Sequence, residues 1–215
     1  SRRQRQMCIR DRHKVMGKFI VIEGPDGTGK STVIEGLKRV YKDKNIKYFR
    51  EPGGSQVGEK IRGLLLNKDT QISSATEALL FAAMRSENYE MLKKDLKNYD
   101  LIITDRFLMS SICYQGAGLE LGVDKVEMVN DFALKGFRPD LNILLMLNAD
   151  EGIDRKIQER ELDRLELRGL DFHQRVVSEY KKLMDSQGVK TVDASRTKEE
   201  VLSDVVEIIN NEMGW

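Results

Sequence analysis

The chain has 215 residues, enough for one α/β domain with a buried core and too few for two ordinary ones. Its 36 basic and 35 acidic residues nearly cancel, so no overall field draws it to nucleic acid or an anionic membrane, and any polyanion site must be local. No apolar run reaches the ~18–20 residues of a membrane span, and the two cysteines, Cys8 and Cys113, have no disulfide or metal-ligand spacing, which fits a cytoplasmic protein.

Residues 1–15 (SRRQRQMCIRDRHKV) are basic and unlike the rest, and they lack the apolar centre of a secretory signal. A transit peptide or a nucleic-acid arm would need amphipathic spacing that the segment does not show. QMCIRDR looks like translated sequencing-adapter read-through, so the native start is expected at Met16 and residues 16–215 at a single domain.

Apolar runs rich in β-branched residues predict strands at Phe19–Ile22, Ile46–Phe49, Leu101–Thr104, Leu141–Leu147 and Gly188–Val192. They are nearly continuous rather than alternating, as in a parallel sheet buried on both faces. Helical periodicity marks Ser31–Tyr41, Glu77–Leu96, Asp124–Leu134, Ala149–Gln158, Phe172–Asp185 and Lys198–Ile209. Strand–helix alternation predicts a doubly wound α/β domain with its ligands at the carboxyl ends of the strands.

The first strand runs into Gly24-Pro-Asp-Gly-Thr-Gly-Lys30-Ser31-Thr32, and a helix follows. Gly-x4-Gly-Lys-Ser in a strand–loop–helix setting is the P-loop pattern. Glycines let backbone N–H groups turn inward, the helix start adds partial positive charge, and Lys30 and Ser31 are placed for the β/γ-phosphates and Mg²⁺, with Thr32 on the same edge. A glycine-rich tight turn would share the letters but not the setting. A phosphate loop leaves open a kinase or a nucleotide-hydrolysing switch. A guanine-nucleotide switch would carry Asn-Lys-x-Asp, and the comparable stretch here is Leu147-Asn148-Ala149-Asp150, without the lysine.

Groups suited to a second, phosphorylated substrate lie further on. Asp105 ends a strand where an acidic residue organises Mg²⁺ or its waters, and the adjacent Arg106 can grip a phosphate in a fork. Phe81 and Arg85 share a helix face at i and i+4, as a stacking ring and an edge-bonding guanidinium require, although core packing of Phe81 alone would give the same spacing. Ser111, Tyr114 and Gln115 also share a face, suited to a base edge and a sugar. Arg50-Glu51-Pro52-Gly53-Gly54 follows the second strand, in a position that either forms the site or merely turns. Residues 155–168 repeat arginine at 160, 164 and 168 among Glu159, Glu161, Asp163 and Glu166. They read either as a solvated helix face or as a lid whose arginines neutralise a transferring phosphoryl group.

From Met16 to about Asn211, GPDGTGKST, REPGG, FAAMR, TDRFLMSSICYQG, FRPDL and ELDRLE together resemble the thymidylate kinases of the bacterial kind. The resemblance implies a P-loop nucleoside monophosphate kinase fold with a five-stranded parallel sheet flanked by helices. It implies ATP- and Mg²⁺-dependent phosphorylation of dTMP to dTDP for dTTP synthesis, by a cytoplasmic homodimer. It places the ATP phosphates on Gly24, Pro25, Asp26, Gly27, Thr28, Gly29, Lys30, Ser31 and Thr32, and Mg²⁺ on Ser31 and Asp105. It implies that Phe81 stacks on thymine, that Arg85 and Gln115 bond its edge with Ser111 beside them, and that Arg106 and Arg50 hold the dTMP phosphate. Tyr114 would crowd the 2′ position, and Asp26 would contact the 3′-hydroxyl or the acceptor phosphate. One subtype of the family carries arginine at the position of Gly27; the other draws that charge from the lid. The arginine-rich segment here points to the second, with Arg160 and Arg155 as the catalytic choices beside Lys30, Asp26 and Arg106, and Arg164 as partly structural.

Overall fold

A strand buried on every side organises the molecule: β1 (Lys18–Glu23) lies at the centre of a five-stranded sheet, and its Phe19, Ile20, Val21 and Ile22 are fully buried. The computed structural model describes residues 16–147, 164–165 and 168–215. The leader at 1–15, the helix expected at Ala149–Gln158, and Arg155 and Arg160 lie outside the described residues.

The other strands are β2 (Ile46–Arg50), β3 (Leu101–Asp105), β4 (Leu141–Met146) and β5 (Val189–Asp193), in the order β2-β3-β1-β4-β5. Every neighbouring pair is parallel, with Lys18 opposite Leu101 and Ile20 opposite Leu141 on the two sides of β1. Alternation within β1 explains its unbroken apolar sequence. Ile20 and Ile22 enter a core with Val33, Leu37, Val205 and Ile209, while Phe19 and Val21 enter another with Leu92, Phe107 and Leu134. Both sheet faces are thus covered by helices, as the sequence pattern predicts.

The described helices are α1 (Lys30–Val40), α2 (Gln56–Leu66), α3 (Ser74–Asp95), the short α4 (Leu108–Ser111), α5 (Val123–Leu134), α6 (Leu170–Leu183) and α7 (Lys198–Met213). Helix α2 has no counterpart among the expected elements. Its start is fixed by Ser55, whose hydroxyl accepts from the Gly58 amide, and only Gly58, Ile61 and Leu65 are buried, so its apolar stripe is thin. α3 begins at Ser74, three residues before Glu77, because Ser73 caps the Thr76 amide. α4 continues as a π-helical segment, Ile112–Gly118, in which the Leu119 amide reaches the Tyr114 carbonyl five residues back. Gly118 admits α6 at close range there: a Cβ would meet the Phe172 ring at 2.6 Å and Val176 at 2.8 Å.

β1, β3 and β4 are adjacent in space although β2 intervenes in sequence, so the strand order reverses around β1. In such sheets the crevice beyond the carboxyl ends at that reversal is the natural ligand position. The loops after β1, β2 and β3 all open there.

Candidate active site

The phosphate loop is shaped by positive backbone angles. Gly24 has φ of 141°, and a Cβ on it would stand 2.3 Å from the Leu145 carbonyl oxygen. Gly27 and Gly29 follow at 82° and 86°, in the left-handed region where glycine carries no Cβ penalty. Gly29 precedes α1 without a side-chain cap, so the helix's first amides face outward as an anion cradle. Lys30 is buried and folds back over the loop, donating from Nζ to the carbonyls of Gly24 (3.0 Å) and Pro25 (2.9 Å). Ser31 and Thr32 are exposed at the helix start.

A cavity of about 600 Å³ opens in front of this loop, lined by Asp26 through Thr32. On the far wall are Phe81, Arg85, Tyr114 and Gln115, with Arg50 and Arg106 at the side. The structure therefore brings the phosphate loop and nearly all the acceptor-site residues expected from sequence to one space. Ser111 stands behind the wall, fully buried, and accepts from Arg85 Nη1 at 2.9 Å, while its neighbour Ser110 lines the cavity.

Arg106 links the two sides. Among the described residues it is one of three non-glycine residues at positive φ (69°), a conformation that costs energy and aims the side chain back across β1. Nη2 donates to Asp26 Oδ1 at 2.7 Å and Tyr114 Oη at 3.2 Å, and Nη1 donates to the Gly24 carbonyl and to Ser110. The Tyr114 hydroxyl also accepts from the Asp26 amide at 3.1 Å. Burial pushes the Tyr114 and Tyr180 phenols well above their usual range, so both carry their protons at neutral pH.

Behind this cluster is Glu23, the last residue of β1 and fully buried. Its carboxylate accepts from the amides of Phe107 (2.8 Å) and Ser110 (3.2 Å) and from the hydroxyls of Ser110 and Tyr180. It ties β1 to the start of α4 and so fixes the backbone from which Arg106 projects. Sequence reasoning missed Glu23 and Tyr180, since a carboxylate ending an apolar strand gives no pattern of its own.

Arg85 has no exposed surface, and all five N–H donors are engaged. Nε and Nη2 meet Glu51 Oε2 at 2.9 and 2.7 Å, Nη1 meets Ser111 and Asn130, and Nη2 also reaches the Phe107 carbonyl at 3.2 Å. The guanidinium lies 5.8 Å from the Phe81 ring centroid. Burial pushes the Glu51 carboxyl up from its ordinary 4.5, and Arg85 and Asn88 pull it back. Arg50, by contrast, is exposed and meets Glu59 at 3.4 Å, an ion pair worth at most about 1 kcal/mol and readily exchanged for a phosphate.

Asp105 Oδ1 is buried without a hydrogen-bond partner among the described residues. A hard carboxylate oxygen near the exposed Ser31 hydroxyl and a phosphate cradle is the donor chemistry that Mg²⁺ accepts, so these residues fit the ion that the sequence implies.

Residues 22–205 match the family model described as thymidylate kinase. The chain belongs to the thymidylate kinase family. A thymidylate kinase of Clostridium novyi (strain NT) is 39% identical over 197 residues, covering 88% of this chain and 96% of that protein. One of Lactobacillus delbrueckii subsp. bulgaricus is 40% identical over 206 residues, with 92% and 97% covered. The crystal structure of the Ehrlichia chaffeensis thymidylate kinase superposes with a TM-score of 0.71 at 26% identity, covering 91% of this chain and 99% of the other. The five-stranded parallel sheet with flanking helices is thus the nucleoside monophosphate kinase fold expected from sequence.

Proposed function

We propose that the protein transfers the γ-phosphoryl group of ATP to dTMP, giving dTDP and ADP for dTTP synthesis. The observation that carries this reading is Arg106, which bonds both the phosphate loop and Tyr114 and so joins a donor cradle to a base-and-sugar pocket in one cavity. ATP lies with its phosphates along Gly24 to Thr32, and Lys30 exchanges its two carbonyl partners for phosphate oxygens. Asp105 and Ser31 would hold Mg²⁺, which would supply charge neutralisation on the phosphates.

dTMP lies across the cavity with its ring on Phe81. Gln115 meets the base edge, and Arg85 joins it through the donor now on the Phe107 carbonyl, its longest bond. Ser111 holds Arg85 from behind. Arg106 and Arg50 take the dTMP phosphate, Asp26 faces the 3′-hydroxyl or that phosphate, and Tyr114 closes the 2′ side. A 2′-hydroxyl pressed there without a partner costs about 1–3 kcal/mol, which selects deoxyribose.

The acceptor is a phosphate oxygen, already nucleophilic, so the protein's work is alignment and charge neutralisation. Gly27 contributes no side-chain charge, and Arg164 and Arg168 are engaged elsewhere. Arg155 and Arg160 of the lid at 155–168 therefore remain the arginines proposed for the phosphoryl group, on sequence grounds.

A cytoplasmic homodimer completes the reading. Met128 and Phe132, one turn apart on α5, are 65% and 88% exposed, an apolar face suited to a second copy, which light scattering tests. Cys113 is a free, buried thiol, as a reducing compartment allows. Residues 16–215 form the kinase domain and 1–15 a dispensable leader, so removing the leader leaves turnover unchanged. The main test is ADP release with ATP, Mg²⁺ and each nucleoside monophosphate in turn. Clear preference for dTMP supports the proposal. Preference for another monophosphate, or hydrolysis that dTMP does not stimulate, overturns it.

A further inference from the structure

Glu77 on α3 is fully buried and lies outside the roles assigned so far. Its Oε1 accepts from Gln115 Nε2 at 2.9 Å and from Arg168 Nη1 at 3.2 Å. Its Oε2 accepts from Arg164 Nη2 at 2.6 Å and Arg168 Nη2 at 2.5 Å. Arg164 is itself fixed by Nε on the Leu65 carbonyl at 2.7 Å. Both carboxylate oxygens thus act only as acceptors, facing two guanidinium groups.

That arrangement dictates the orientation of an amide. A carboxylate that only accepts must be met by the N–H₂ end of Gln115, never by its carbonyl end. The other end, Oε1, is then what Gln115 has left for a ligand. Gln115 is 2% exposed and lines the cavity, and its Oε1 has no hydrogen-bond partner among the described residues. A buried acceptor without a donor is costly, and a ligand N–H that meets it gains accordingly.

We infer that Glu77, held by Arg164 and Arg168, is a positioning residue that sets base selectivity by locking Gln115 with its carbonyl toward the substrate. The inference rests on the reading of the cavity as a pyrimidine monophosphate site. Thymine presents an N–H at ring position 3, which the locked carbonyl accepts. Cytosine presents a lone pair there, which the same carbonyl repels. Selectivity between the two bases thus originates one residue away from the base, in a side chain that does not touch it.

Glu77→Gln is the diagnostic change. A glutamine at 77 can accept from Gln115 or donate to it, so both orientations of the Gln115 amide become satisfied. The ratio of kcat/KM for dTMP to that for dCMP is expected to fall about tenfold or more, while KM for ATP stays within about twofold. Glu77→Asp remains acceptor-only and is expected to keep the ratio within about threefold. An unchanged ratio in Glu77→Gln overturns the inference. So does an equal fall in both variants with a lowered melting temperature, the mark of a merely structural role.

If Glu77→Gln does not fold, the wild-type enzyme decides through inhibition by 3-methyl-dTMP, which lacks the ring N–H. Binding as tight as that of dTMP overturns the inference, and a loss of about tenfold or more supports it. A wild-type enzyme that ignores dTMP would instead refute the proposed function, so the two failures are distinguishable.

Discussion

Replacing Arg85 by methionine should destabilise the protein by about 3–5 kcal/mol, the penalty for leaving a buried charge without its partner. The structure gives the reason. Arg85 and Glu51 have 0% and 1% of their side chains exposed. Without the guanidinium, Glu51 keeps, among the described residues, only the Asn88 amide, which donates to Oε1 at 3.0 Å. Ser111, Asn130 and the Phe107 carbonyl lose donors as well. For a domain of this size a urea slope of about 2.5 kcal/mol/M turns that loss into a midpoint about 1–2 M lower.

A pH dependence follows from the same carboxyl. Burial already holds Glu51 above its ordinary 4.5. A carboxyl raised in the folded state stabilises that state in its protonated form; the contribution is complete below 4.5 and lost as pH rises through the folded value. Loss of the cation raises Glu51 further, so the gap between variant and wild type should narrow from pH 7.5 toward pH 5. The double variant Glu51→Leu/Arg85→Met, which removes both charges, should recover at least about half of the loss. An Arg85→Met midpoint within about 0.3 M of wild type would refute this account of the pair.

Other changes act on chemistry or reactivity. Lys30→Ala should lower turnover by about 10²-fold or more in the coupled ADP assay, since it removes the loop's own cation; near-normal turnover would dismiss the donor site. Arg106→Ala should lower kcat/KM for dTMP by about 10²-fold or more while KM for ATP changes little, and equal loss for both substrates would contradict its assignment to the acceptor. Arg106→Lys should rescue little, because a single ammonium cannot span the Gly24 carbonyl and Asp26 together. Cys113 is fully buried, and its thiol is pushed well up by burial and by the nearby Glu23 and Glu179 carboxylates. It should resist a disulfide reagent at pH 8 in folded protein and react only after denaturation.

The sheet was legible because its physics leaves a strong trace. The inner strands β1, β3 and β4, covered on both faces, are largely apolar, and all five strands appear within a residue or two of their expected bounds. The phosphate loop was legible for a similar reason: only glycine takes the positive angles at 24, 27 and 29 without strain. α2 was not, because three buried positions, one of them a glycine, make a stripe too thin to separate from a loop. The π-helical segment was hidden too, since the i, i+3, i+4 spacing of Ser111, Tyr114 and Gln115 does not reveal which turn will widen.

The buried charges show the deeper limit. Glu77, Phe81, Arg85, Asn88 and Leu92 form the inward stripe of α3, at helical spacing and all buried. Three of the five are polar, so helical periodicity marks the helix without showing that Glu77, Arg85 and Asn88 face inward. What makes the stripe possible lies far away in sequence: Glu51 from the loop after β2 for Arg85 and Asn88, and Arg164, Arg168 and Gln115 for Glu77. Each buried charge is tolerable only because a distant partner meets it. Pairing of that kind is a property of the assembled fold, so residue type and spacing could nominate Phe81, Arg85 and Gln115 but could not say what holds them. The same pairing gives the site its rigidity. Arg85 is gripped from three elements and Gln115 through Glu77, so the cavity wall proposed to meet the base is already held by the protein's own contacts, and little ordering is left for binding to do.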